Sequence, residues 1–105
     1  MGSPKANVRI PVPSASLESF CQRWGVAELS LFGSVLRDDF SPESDIDILV
    51  AWKPGVRIGM IGLARMTTEL EEIFARRVDL VPKQGLKPVL RDQVLHEAKT
   101  IYGAA

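Results

Sequence analysis

Two aspartates two residues apart, Asp45 and Asp47, open an otherwise apolar run, Asp45-Ile46-Asp47-Ile48-Leu49-Val50. The run reads as a β-strand, whose period of two sets both carboxylates on one face and Ile46 and Ile48 on the other. Like charges side by side are costly in a sheet, so a positive group has to offset them. Hard divalent cations favour carboxylate oxygens, and magnesium typically takes one or two carboxylates together with substrate phosphates. Taken alone, however, the pair reads first as an acidic, solvated strand start.

Two further features move the reading toward chemistry. Gly33-Ser34 ends the preceding predicted strand, with ten residues between Ser34 and Asp45. Glycine lets a phosphate approach the backbone closely, and the serine hydroxyl and the N–H groups of the following turn can donate to phosphate oxygens. As an isolated dipeptide Gly-Ser is simply a turn, but adjacent strands would bring this one to the same sheet edge as the carboxylates. The second feature is Asp79, inside the apolar run Val78-Asp79-Leu80-Val81. A charge there is costly unless it is paired or bound to metal. Either Arg76 or Arg77 pairs with it, or it faces the first two aspartates and completes a two-metal site of the kind that supports in-line transfer.

The elements that must position these groups follow from periodicity. Pro4, Pro11 and Pro13 mark an extended lead-in, so residues 1–13 form an extended or disordered leader and 14–105 a single domain. Ser14 or Ser16 caps a helix with Leu17, Phe20, Cys21 and Trp24 on one face, stopped at Gly25. Residues 27–34 read as a strand that opens into a short helical turn through Leu36 and Arg37. Residues 37–44 form a loop, and 45–52 a second strand closed by Pro54-Gly55. A helix over 59–77 carries Leu63, Met66, Leu70, Ile73 and Phe74 on its apolar face. Residues 77–82 make a short third strand. A last helix starts near Leu86, tolerates Pro88 in its first turn, and carries Val94, Leu95, Ala98, Ile101 and Tyr102. This order predicts a small α/β (α+β) sandwich with a three- to four-stranded sheet and helices on one face.

Composition bounds the rest. Hydrophobic residues are 46% and charged residues 25%, a globular composition rather than a disordered one. At 105 residues the chain fits one domain, burying about 65% of its unfolded surface, enough for a modest core. Thirteen Lys plus Arg balance thirteen Asp plus Glu. The chain therefore lacks the basic field of a non-specific DNA binder, and no direct nucleic-acid partner is expected. One cysteine excludes an intrachain disulfide and, with only His96 beside it, argues against structural zinc. It fits a cytoplasmic protein, and no apolar run reaches the roughly 18 residues of a membrane span. Cys21, Trp24 and Trp52 read as core, His96 as surface, and Lys83, Lys87 and Arg91 as a solvated basic face near the third strand.

Together Gly33-Ser34, Asp45-Ile46-Asp47 and Asp79 resemble the motif of the minimal nucleotidyltransferases of the polymerase-beta superfamily. The resemblance runs from about Leu17 to Tyr102, and the ending from Leu86 to Gly103 is also similar to the family's. It implies that Gly33 and Ser34 hold the triphosphate of ATP and that Asp45 and Asp47 coordinate two magnesium ions. It implies that Asp79 binds one of these and helps deprotonate the attacking hydroxyl, and that Arg37 contacts phosphate. Where the family often has Gly after that arginine, this chain has Asp38, an added carboxylate beside the triphosphate site.

The resemblance also implies a setting. Such short chains are commonly antitoxins paired with a helical HEPN-domain toxin, and some transfer AMP from ATP to a toxin tyrosine. The expected partner is therefore a HEPN toxin in a hetero-oligomer. Two other readings stand beside this one. The same fold could neutralise the toxin by binding alone, or it could modify a small molecule such as an aminoglycoside. The chain corresponds to the catalytic core without the extra helical domain of the larger enzymes, which argues against the last.

Overall fold

A computed structural model describes residues 12–33 and 45–103 of the chain. The first helix, α1 (Ser14–Trp24), buries Leu17, Phe20 and Cys21, one stripe at helical spacing. It stops at Gly25, whose φ of 68° and N–H bond to the Cys21 carbonyl make the left-handed cap expected of a glycine there. Strand β1 (Val26–Phe32) and strand β2 (Ile46–Trp52) follow and pair antiparallel. Helix α2 (Met60–Phe74) buries Met66 and Leu70, with Leu63, Ile73 and Phe74 packed against the same core. It crosses over to β3 (Val78–Pro82), which lies parallel to β2.

The sheet order is β3-β2-β1-β4, so it is mixed and β3 forms one edge. Leu29 and Leu31 of β1, Ile46, Ile48 and Val50 of β2, and Val78 and Leu80 of β3 meet α1 and α2 in one cluster. Each such fully buried aliphatic side chain contributes about 1.5–3 kcal/mol, so this face carries most of the stability. The two helices are also tied by Glu69, whose Oε1 accepts from Arg23 Nη1 at 2.9 Å and Trp24 Nε1 at 3.1 Å.

One expected element is different. The single last helix divides into α3 (Pro88–Glu97), with Pro88 in its first turn, and a fourth strand, β4 (Lys99–Tyr102). Ala98 breaks the helix with extended dihedrals, φ −63° and ψ 144°. Thr100, Ile101 and Tyr102 are β-branched and aromatic residues that suit a pleated surface. Lys99, Thr100 and Tyr102 pair with β1 across a register shift at Leu29 and Ser30, Ile101 is buried, and α3 itself buries no residue. The sheet therefore has four strands. The leader up to residue 11, the helical turn through Leu36 and Arg37, and the whole loop expected at 37–44 lie outside the described residues. Among the described residues no helix is long and apolar enough to cross a membrane.

Candidate active site

The sheet brings the aspartates together by register. β1 and β2 are antiparallel and pair Phe32 with Asp47, so the residue after β1, Gly33, arrives at the beginning of β2. β2 and β3 are parallel and pair Asp47 with Asp79. Ile46 and Ile48 are fully buried on the helix side, so Asp47 stands on the opposite face, half-buried, with the exposed Asp79 beside it. Like charges placed directly across neighbouring strands destabilise a sheet, and this chain keeps them.

The pair that precedes both strands continues the pattern. The Ile46 N–H donates to the Arg77 carbonyl at 2.9 Å, which locks the two strand entries together. Asp45 and Arg77 then occupy one row, and Arg77 Nε lies 3.4 Å from Asp45 Oδ1. The sequence offered Arg76 or Arg77 as a partner for Asp79. Register instead sets Arg77 against Asp45, and among the described residues no ion pair holds Asp79.

Gly33 has a φ of 76°, a left-handed conformation that favours glycine. A Cβ there would run into Asp47 Oδ2. A side chain at this position would therefore have to displace the Asp47 carboxylate, a contact the sequence did not reveal. Of the six residues singled out from the sequence, Gly33, Asp45, Asp47 and Asp79 lie at one end of the sheet. Ser34 and Arg37 lie outside the described residues, as does Asp38. Among the described residues no three of the His, Cys, Asp and Glu side chains stand close enough to share a metal ion. The available donors at this end are hard carboxylate oxygens, the set that magnesium takes.

Sequence reasoning missed Glu71. Its Oε2 accepts the Val78 N–H at 3.1 Å, while its backbone carbonyl accepts from Ala75 and, at 3.2 Å, from Arg76. One residue therefore gathers the turn that feeds β3 and fixes where Asp79 starts. No local signal marks it, because its partner is a backbone N–H seven residues away.

The residues set aside behave as structural groups. Cys21 is buried, and burial pushes its thiol from 9.0 up to about 12, far from the thiolate that nucleophilic chemistry needs. Trp24 and Trp52 pack against the core, and His96 is exposed on α3. Lys83 pairs with Glu28 at 3.1 Å just beyond the end of β3 remote from the aspartates.

The chain is similar to proteins of known family. The nucleotidyltransferase domain family matches residues 14–101. A Methanocaldococcus jannaschii protein named as a candidate protein adenylyltransferase is 39% identical over 74 residues, 70% of this chain and 77% of that protein. Protein adenylyltransferase MntA of Thermococcus cleftensis is 36% identical over 76 residues, 72% of this chain and 75% of that protein. Two solved structures share the fold. A toxin–antitoxin complex with AMP-PNP has a TM-score of 0.72 at 23% identity, covering 89% of this chain and 75% of that one. A complex of a tri-AMPylated Shewanella oneidensis HEPN toxin with its MNT antitoxin has a TM-score of 0.63 at 24% identity, covering 87% and 70%. With carboxylates in register on two parallel strands and a family match over most of its length, the chain belongs to the nucleotidyltransferase domain family.

Proposed function

We propose that this chain is a protein adenylyltransferase acting as an antitoxin, which transfers AMP from ATP to a tyrosine hydroxyl of a HEPN-domain toxin and so neutralises it. The observation that carries the proposal is the Asp47–Asp79 register pair with Gly33 against it. Two carboxylates held side by side at one sheet end, with a glycine backbone packed against one of them, suit a triphosphate substrate with its cation. The relatives named as protein adenylyltransferases and the AMPylated toxin in a complex of the same fold support the acceptor class. The AMP-PNP complex supports ATP as donor.

Asp45, Asp47 and Asp79 would each give carboxylate oxygen to magnesium, one or two to an ion with the triphosphate oxygens completing its shell, and the metal when bound would neutralise the triphosphate charge and polarise the attacking and leaving oxygens. The acceptor oxygen attacks the α-phosphorus, the bond from that phosphorus to the bridging oxygen breaks, and pyrophosphate leaves. Asp79 accepts the hydroxyl proton, its exposed carboxylate lying where an acceptor hydroxyl can reach it. Gly33 and Ser34 would cradle the phosphates, with Arg37 as a further donor to them. The β2 and β3 backbones set Asp47 and Asp79 side by side, which reduces the cost of bringing their carboxylates to the substrate.

The test is incubation of the chain with its partner toxin, ATP labelled on the α-phosphate, and magnesium, with and without chelator. Label on a toxin tyrosine only when metal is present supports the proposal. Toxin inhibited without incorporation of label would mean that binding alone neutralises it, and label that enters with chelator present would remove the metal.

A further inference from the structure

Arg77 stands where a cation is wanted. The ladder pairs Ile46 with Val78 and Asp47 with Asp79, and the Ile46 N–H bond to the Arg77 carbonyl extends that register one step outward. Its guanidinium therefore meets Asp45, at 3.4 Å, and not Asp79 two residues further along the chain. The arginine side chain is 79% exposed and the aspartate 52%, so water competes for both and the pair opens at little cost. A guanidinium and a hard cation seek the same carboxylate oxygen, and two positive groups at contact distance repel each other.

We infer that Arg77 is the resident counter-charge of Asp45 in the metal-free protein, and that a divalent cation binds Asp45 only by displacing it. The inference rests on the metal site proposed above. Arg77 acts through Asp45, as a positioning residue. It lowers the repulsion among the clustered carboxylates while they wait for substrate, and it raises the cation concentration at which the site fills.

The experiment uses the full chain without nucleotide. Free Mn2+ is followed by electron paramagnetic resonance during titration of the wild type and Arg77→Gln. The variant is expected to bind Mn2+ about two- to fivefold more tightly at low salt, the scale of one exposed ion pair. The gain should shrink as ionic strength rises. In parallel, Mg2+ is titrated into the wild type while the Arg77 Nε–H resonance is observed. It should move to the position it holds in Asp45→Asn, where the guanidinium has lost its partner, and saturate at the metal-binding midpoint. Equal Mn2+ affinity in wild type and Arg77→Gln overturns the inference and leaves the metal site standing. An unmoved Nε–H resonance during metal binding overturns it as well, because a tighter variant would then reflect only a general loss of positive charge. No Mn2+ binding in either protein overturns the inference, because the cation then does not reach Asp45 before nucleotide, and leaves the nucleotide-dependent metal site to the labelled-ATP test.

Discussion

Gly33 lies directly against the Asp47 carboxylate, so close that a methyl group in place of its α-hydrogen would run into Oδ2. Its φ of 76° adds a second constraint, since an L-residue in that region carries roughly 1–2 kcal/mol of strain. Gly33→Ala should therefore lose at least about that much stability, measured by denaturant unfolding. It should also displace Asp47 and lose MgATP binding, measured by calorimetry. An alanine variant as stable as wild type that binds MgATP normally would show that the position tolerates a side chain and that the Gly33–Asp47 contact is incidental.

Asp79→Asn keeps the shape of the side chain and removes its charge and its basic oxygen. AMP incorporation into the partner should fall by at least about two orders of magnitude, the scale of a lost general base. The melting temperature without metal should stay level or rise, because Asp79 sits beside Asp47 and no described ion pair depends on it. A large drop in melting temperature would mean that Asp79 is a structural anchor after all.

Glu71→Ala leaves the Val78 N–H without its acceptor and should cost about 1–2 kcal/mol of unfolding free energy. Glu71→Gln retains an amide oxygen at the same place and should lose clearly less. Urea denaturation of the two variants separates them. If alanine and glutamine behave alike, the carboxylate does not hold the entry to β3.

The buried thiol gives a pH dependence with a definite sign. Its value rises from 9.0 to about 12 on folding, so below pH 9 both states carry the neutral thiol and nothing changes. Above pH 9 the unfolded chain ionises while the folded one does not, and stability is lost until the folded thiol also ionises near pH 12. The stability difference between wild type and Cys21→Ala should hold steady up to pH 9 and then shrink by about 1.4 kcal/mol per pH unit. A difference that stays flat to pH 11 would mean the thiol is not shielded from water.

Much of this was legible in the residues because the governing rules are local. The stripe of Leu17, Phe20 and Cys21 ends at Gly25, and the alternation of Asp47 with Ile46 and Ile48 determines its own face. β4 was not legible. Val94, Leu95, Ala98, Ile101 and Tyr102 satisfy a helical spacing, and what turns the last of them into a strand is pairing with β1, far away in sequence. The Arg77–Asp45 pair was hidden for the same reason. A parallel register is set by the crossover through α2, and without it Arg77 has no reason to prefer Asp45 over the aspartate two residues further along the chain. Glu71 shows the third kind of blindness, since a carboxylate that serves a backbone N–H looks like any other solvated charge.

β4 lies against β1, with Ser30 and Thr100 hydroxyls 3.5 Å apart although 70 residues separate them. During synthesis, β1 and β2 are made well before the strand that flanks β1, and contacts between such distant segments are the slow ones to form. Until β4 is made, the Leu29–Leu31 side of the sheet keeps an open edge able to pair with another chain. The nascent protein therefore passes through a stage in which the aspartate-bearing strands exist but their sheet is unfinished. Its exposure to aggregation and proteolysis is set by how quickly residues 99–102 arrive and dock.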